Sequence, residues 1–134
     1  MKNLNRGTVF VKKVSPETIL EDYSWLLQKA KVTENFDKSI NTFLKVNISW
    51  DRYFPGCSTA PWQLEGVIKE LLNNNFSNII AAHNGTVVVD PERGRIENKH
   101  KNVEDKYNIP YILVDSSESE AVAYKPKSKL LVLD

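Results

Sequence analysis

Asp51, Cys57 and His83 are the side chains of this sequence best suited to chemistry. A cysteine just ahead of a helix start feels the positive end of the helix dipole, which favours its thiolate. His83 would then act as base, with Asp51 or Asp115 as the orienting carboxylate of a nucleophilic constellation. The competing reading is a lone cysteine that fills its loop as a small apolar side chain. Spacing alone does not make a triad. The run Gly56-Cys57-Ser58-Thr59 offers a second chemistry, because backbone N–H groups and hydroxyls at a helix start can hold a carboxylate or phosphate. Ser58 or Thr59 serves equally as an ordinary N-cap. A metal reading of His83 with Asp51, Asp90 or Asp115 lacks close ligand spacing. His83-Asn84-Gly85 reads more simply as a turn closing a strand. His100 falls on an apolar helix stripe and reads as packing rather than as a ligand.

The elements that must position these residues follow from the hydrophobic pattern. Thr8 to Val14 is β-branched and apolar, a first strand. Ser15-Pro16-Glu17 is a helix start, and Ile19, Tyr23, Leu26, Leu27 and Ala30 form a stripe that carries the helix to about Lys31. Trp25, off that stripe, is expected to cover a neighbouring element. Thr42 to Ile48 is a second strand. Thr59-Ala60-Pro61 opens a second helix with the stripe Leu64, Val67, Ile68, Leu71 and Leu72, ended by Asn73-Asn74-Asn75. Ile79 to Ala82 is a short buried strand. Thr86 to Val89 reads as a strand that Asp90-Pro91 and Arg93-Gly94 cut short. Ile96, His100, Val103 and Tyr107 share one face of a third helix. Ile109 to Val114 and the apolar run Lys129 to Leu133 close the chain, with the polar turn Ser116 to Glu120 between them.

This β-α-β-α-β-α-β alternation predicts an α/β fold: a mainly parallel sheet with helices on both faces. The residues just past the strand ends, Asn47 to Asp51, His83 to Gly85 and Asp115 to Ser117, should then meet on one sheet edge, where open α/β folds bind ligands. Trp50, Tyr53, Phe54 and Trp62 either wall a pocket there or bury a long loop.

Composition narrows the function classes. The 134 residues suit one domain, with 41% hydrophobic and 26% charged side chains, as in soluble globular proteins. A balance of 18 basic and 17 acidic residues leaves a net charge of +1, too little basic excess for nucleic acid as the main partner. Arg93 to Lys101 is basic but interleaved with Glu92 and Glu97, the pattern of a solvated helix face. A single cysteine forms no internal disulfide. The first residues lack a signal-peptide core, and no apolar run approaches the ~18 residues of a membrane span. The expected compartment is the cytoplasm. Neither G-x-x-x-x-G-K-[ST] nor G-x-G-x-x-G occurs, so the familiar nucleotide cradles find no support.

One stretch also carries a resemblance. The strand ending in Lys45-Val46-Asn47, the loop Pro55-Gly56-Cys57-Ser58-Thr59-Ala60-Pro61, the helix from Gln63 to Leu72 and the strand leading to His83-Asn84 resemble the conserved domain of unknown function family 362 over about Thr42 to Val114. The resemblance implies an α/β fold and marks Lys45 and Asn47 as site or site-supporting residues; a strand-end lysine reaching solvent is the plainer account of Lys45. Some relatives carry ferredoxin-like iron–sulfur segments, but no cysteine cluster exists here to hold one. The family's members are longer chains with further sheet and site elements in a second half. By resemblance, residues 1–134 form the N-terminal portion of such a domain.

Two functions follow as expectations. In the first, a small anionic ligand binds at the edge formed by Asn47–Thr59, His83–Asn84 and Asp115–Ser116, held by Lys45, Asn47, Gly56, Ser58, Thr59, Asn84 and Asp115, while Asp51 or His83 handles protons. In the second, the chain is a non-catalytic fragment or interaction module whose sheet is completed by another chain or a missing half; its expected partners are a homo-oligomer or a protein that completes the sheet. A closed pocket holding a shifted ionisable group favours the first; a large apolar surface or an unpaired sheet edge favours the second.

Overall fold

Residues 7–86 and 88–114 are described by the computed structural model. After a non-regular lead, α1 (Ile19–Lys29) and the single turn α2 (Val32–Asn35) precede β1 (Thr42–Lys45), α3 (Pro61–Asn73), β2 (Ile79–His83), α4 (Pro91–Glu97), α5 (His100–Tyr107) and β3 (Tyr111–Leu113). The three strands pair in parallel in the order β1-β2-β3, with Leu44 opposite Ala81 and Ala81 opposite Tyr111. The fold is mixed α/β around a small parallel sheet.

Local chemistry explains the element ends. Pro61 at the first position of α3 has its ring angle pre-set for a helix and gives up an N–H that would lack a partner there. Asn75, with φ of 65°, ends the helix in the left-handed region, and Asn74 Nδ2 donates to Glu70 O at 2.8 Å. Asp90 caps α4 by accepting from the Arg93 N–H at 3.0 Å.

The core joins Val46, Leu64, Ile68, Leu71, Phe76, Ile79, Ala81, Val103 and Ile109, with Leu44, Val67, Tyr107 and Tyr111 packed against it. Its strand members, Leu44, Ala81 and Tyr111, are in register and share one face of the sheet. Both crossovers step the same way across the sheet, and right-handed crossovers of that kind place α3 and α5 on one side. On the outer side of α3 lies α1, close enough that a Cβ added at Gly66 would meet Tyr23 Cβ at 2.7 Å. Glu70, buried in this contact, accepts from Ser24 Oγ and from Gln28 Nε2.

Four expectations change. Thr8–Val14 is no strand: Val9 and Val11 are exposed and the segment is fastened instead by Lys12, which pairs with Asp22 at 3.2 Å and lies over the Trp25 ring. A β-branched run gains from a sheet only when it has a neighbour to pack on. Among the described residues, the crossover helices α3 and α5 lie on one side of the sheet rather than on both. The single third helix is two, parted at Lys99, whose φ is 65°. Asn98 makes that break by donating to Gly94 O at 2.8 Å and Trp50 O at 2.9 Å. Thr86, Val88 and Val89 form no strand. The expected strand Lys129–Leu133 lies outside the described residues.

Candidate functional site

The ends of β1 and β2 lie side by side, with His83 Nδ1 3.0 Å from Val46 O, while the third expected group, Asp115 to Ser117, lies outside the described residues. The chain leaves β1 through Val46 and Asn47 into the loop that reaches α3, and this loop is closed on itself. Asn47 N–H donates to Thr59 Oγ1 at 2.9 Å, and its Nδ2 donates to Ser49 Oγ at 2.8 Å and Cys57 O at 2.9 Å. The amides of Cys57 and Ser58 both point to Phe54 O, at 2.9 and 3.3 Å, while that of Thr59 donates to Asn47 O at 2.8 Å. Ser58 Oγ accepts from the Ser49 N–H at 3.3 Å. Three of the four amides considered as an anion cradle, those of Cys57, Ser58 and Thr59, are therefore engaged within the loop, and the Ser58 and Thr59 hydroxyls accept from Ser49 and Asn47 as its staples.

The remaining candidates are dispersed. Asp51 pairs with Arg93 at 3.3 Å rather than with His83 or Cys57. Cys57 is exposed, and with Trp50 and Phe54 it lines a shallow apolar cleft of about 350 Å³. Gly56 and Asn84 are exposed, and Asn84 Nδ2 reaches only Gly85 O. Lys45 is exposed and its Nζ donates to Val46 O at 2.9 Å. Asp115 and Ser116 lie outside the described residues. No group of three His, Cys, Asp or Glu side chains among the described residues is placed to hold a metal ion.

Beneath this loop lies a polar cluster of which sequence reasoning singled out only His83 and missed the His100, Glu104, Arg95 and Asn98 contacts. His83 is buried, with Nδ1 at 3.0 Å from Val46 O. His100, 0% exposed, places Nε2 at 2.5 Å from Thr59 O, so its neutral form donates there. Burial pushes the His100 imidazole below the ordinary histidine value, opposed by the Thr59 carbonyl. Glu104, also buried, accepts from Arg95 Nε at 2.6 Å. Burial raises its carboxyl above the usual range although Arg95 pulls the other way. Arg95 also lies 4.3 Å from the Tyr111 ring centre and donates to both Glu92 oxygens. His100 and Glu104 are four apart on one helix face, the only sequence sign of the pair. Asn98 adds a second staple, accepting from the Phe54 N–H at 3.4 Å. Gly94 packs so closely on Ile48 that a Cβ would overlap it. These contacts fix the loop rather than open it.

The other unusual region is the free edge of β1. Thr42 N–H donates to Asn78 O at 2.7 Å and Val46 N–H to Ala82 O at 2.9 Å, so residues 42, 44 and 46 turn their backbone groups inward. Phe43 and Lys45 turn theirs outward, and among the described residues no backbone group meets them. Phe43 lies on the sheet face opposite the core, in register with Ile80, and is 59% exposed; Ile112 on the same face is 41% exposed. Beside the edge runs a groove of about 210 Å³ between β1 and α3, lined by Leu44, Thr59, Gln63 and Val67. Phe36 and Ile40 add exposed apolar area in the segment leading into β1.

No family model, curated protein or solved structure matches this chain. Nor is any helix among the described residues long and apolar enough to cross a membrane.

Proposed function

We propose that this domain is an interaction module that receives an extended strand along the free edge of β1. One observation carries the reading: the outward N–H and C=O groups of Phe43 and Lys45 lie beside exposed apolar side chains, with no backbone partner among the described residues. Parallel sheets are ordinarily covered on both faces, and an unpaired edge is a template for main-chain hydrogen bonds from another strand. The groove between β1 and α3 supplies side-chain contacts on the core side of such a strand, the usual division of labour in β-augmentation. Small-anion binding at the strand ends has less behind it, because the Cys57, Ser58 and Thr59 amides already donate to Phe54 and Asn47.

Panning a displayed library of extended peptides against the wild-type chain and against Lys45→Pro tests the proposal. Proline removes the outward N–H of residue 45 while leaving the inward ladder to β2 in place. Peptides recovered on the wild type should bind Lys45→Pro at least tenfold more weakly. Peptides that bind both chains alike would place recognition elsewhere.

A further inference from the structure

We propose that the strand received by β1 is β1 of a second copy of this chain, paired antiparallel about a two-fold axis through Leu44. This rests on the reading of β1 as a receiving edge and adds the identity of the partner. The first argument is hydrogen-bond complementarity. In an antiparallel ladder, opposed residues that face each other exchange both N–H···O bonds. With the axis at Leu44, Phe43 of each copy opposes Lys45 of the other. Both N–H and both C=O groups turned outward on each edge are then satisfied, with none left over. The ladder cannot extend beyond residue 45, because the next outward N–H, that of Asn47, is held by Thr59 Oγ1 at 2.9 Å. A free edge this short and this symmetric is matched by itself.

The side chains fit the same register. Phe43 and Lys45 stand on the open face of the sheet. Pairing places the ammonium of one copy beside the aromatic ring of the other, an attractive contact, and keeps the two lysines diagonal rather than opposed. On the other face Leu44 meets Leu44 at a close, non-hydrogen-bonded position, beside the groove lined by Gln63 and Val67. Charge does not oppose the union, since each chain carries a net charge of only +1. The product is a continuous sheet of six strands, three from each copy, in which each exposed Phe43 lies opposite Lys45 of the other copy rather than at a bare edge. Isologous pairing of one surface with itself is the commonest route to a soluble oligomer.

Sedimentation of the full chain over a range of concentrations, with two variants, tests this. Wild type should rise to twice the single-chain mass with concentration. Phe43→Lys, a change at an exposed position, puts a lysine against Lys45 and should remain single at every concentration. Leu44→Cys in a Cys57→Ser background should form a disulfide-linked dimer on air oxidation. A wild-type chain of single mass at its highest soluble concentration overturns the second copy. If library peptides then still discriminate wild type from Lys45→Pro, the receiving edge itself stands. A dimer that ignores Phe43→Lys, with no Leu44→Cys cross-link, also overturns the proposal.

Discussion

The loop after β1 and the outer edge of β1 are neighbours along the chain and opposites in physical state. In the loop, the amides of Cys57, Ser58 and Thr59 and the side chains of Asn47 and Asn98 are bonded within the chain. At the edge, the polar groups of Phe43 and Lys45 face outward and the nearest large side chain is an exposed phenylalanine. A buried or half-buried polar group left unpaired is costly, and native folds rarely leave one so. The loop has met that demand alone; the edge meets it only with solvent or with another strand. Richness in polar and aromatic residues thus marks a rigid connection, while the plain sequence Thr42-Phe43-Leu44-Lys45 marks the place for recognition.

Perturbing the rigid side should cost the most. Arg95→Ala leaves the Glu104 carboxyl buried without its cation, and breaking such a pair costs about 3 kcal/mol or more. Chemical denaturation reads this directly, and Glu104→Gln, which keeps an acceptor for Arg95, should cost less. An equal loss in both variants would mean that charge plays no part in the cluster. Asn98→Ala removes the bonds to Trp50 O, Gly94 O and the Phe54 N–H; Gly94 O keeps the backbone N–H of residue 98, so two groups are stranded, and at about 1–1.5 kcal/mol each the loss should be about 2–3 kcal/mol. A loss near zero would show that the loop stands without its staple.

A smaller effect should appear with pH. The His100 value is lowered in the folded state, so the unfolded chain takes up this proton first as pH falls. The His100 contribution is complete above the ordinary value of 6.5 and lost as pH drops below it. Glu104 carries the opposite sign: its raised folded value stabilises below the ordinary 4.5, and that contribution is lost as pH rises through the folded value. Urea midpoints at pH 7.5 and 5.5 should differ less in His100→Gln than in wild type; an unchanged difference would remove His100 from the account. The smallest stability effect belongs to the edge. Phe43→Ser, at an exposed position, should shift unfolding by no more than about 0.5 kcal/mol while weakening strand binding. A large loss of stability would mean that Phe43 already has a packing partner.

How far the sequence carried can be judged element by element. The Leu64, Ile68, Leu71 stripe and the Pro61 and Asn75 boundaries gave α3 almost to the residue, because cap chemistry and period agree there. The short apolar runs gave β1, β2 and β3 with looser ends, since Thr42–Ile48 and Ile109–Val114 are strands only over Thr42–Lys45 and Tyr111–Leu113. Thr8–Val14 misled because strand propensity does not say whether a neighbouring strand exists. The break at Lys99 was hidden because it depends on Asn98 reaching Trp50, 48 residues away. Of the candidate site, topology put Asn47, Thr59 and His83 near the ends of β1 and β2, but whether their donors were free or spent lay beyond pattern. The β1 edge left no mark at all: a strand at the rim and one in the centre can share a sequence.

Amide hydrogen exchange followed by NMR on the dilute domain tests the edge most directly. The amides of Phe43 and Lys45 should exchange near the unprotected rate, while those of Val46 and Thr59, bonded to Ala82 O and Asn47 O, stay protected. Raising the concentration of the chain should slow Phe43 and Lys45 alone. Protection of Phe43 and Lys45 equal to that of Val46 in the dilute, single chain would contradict the account, because the edge would already be satisfied from within.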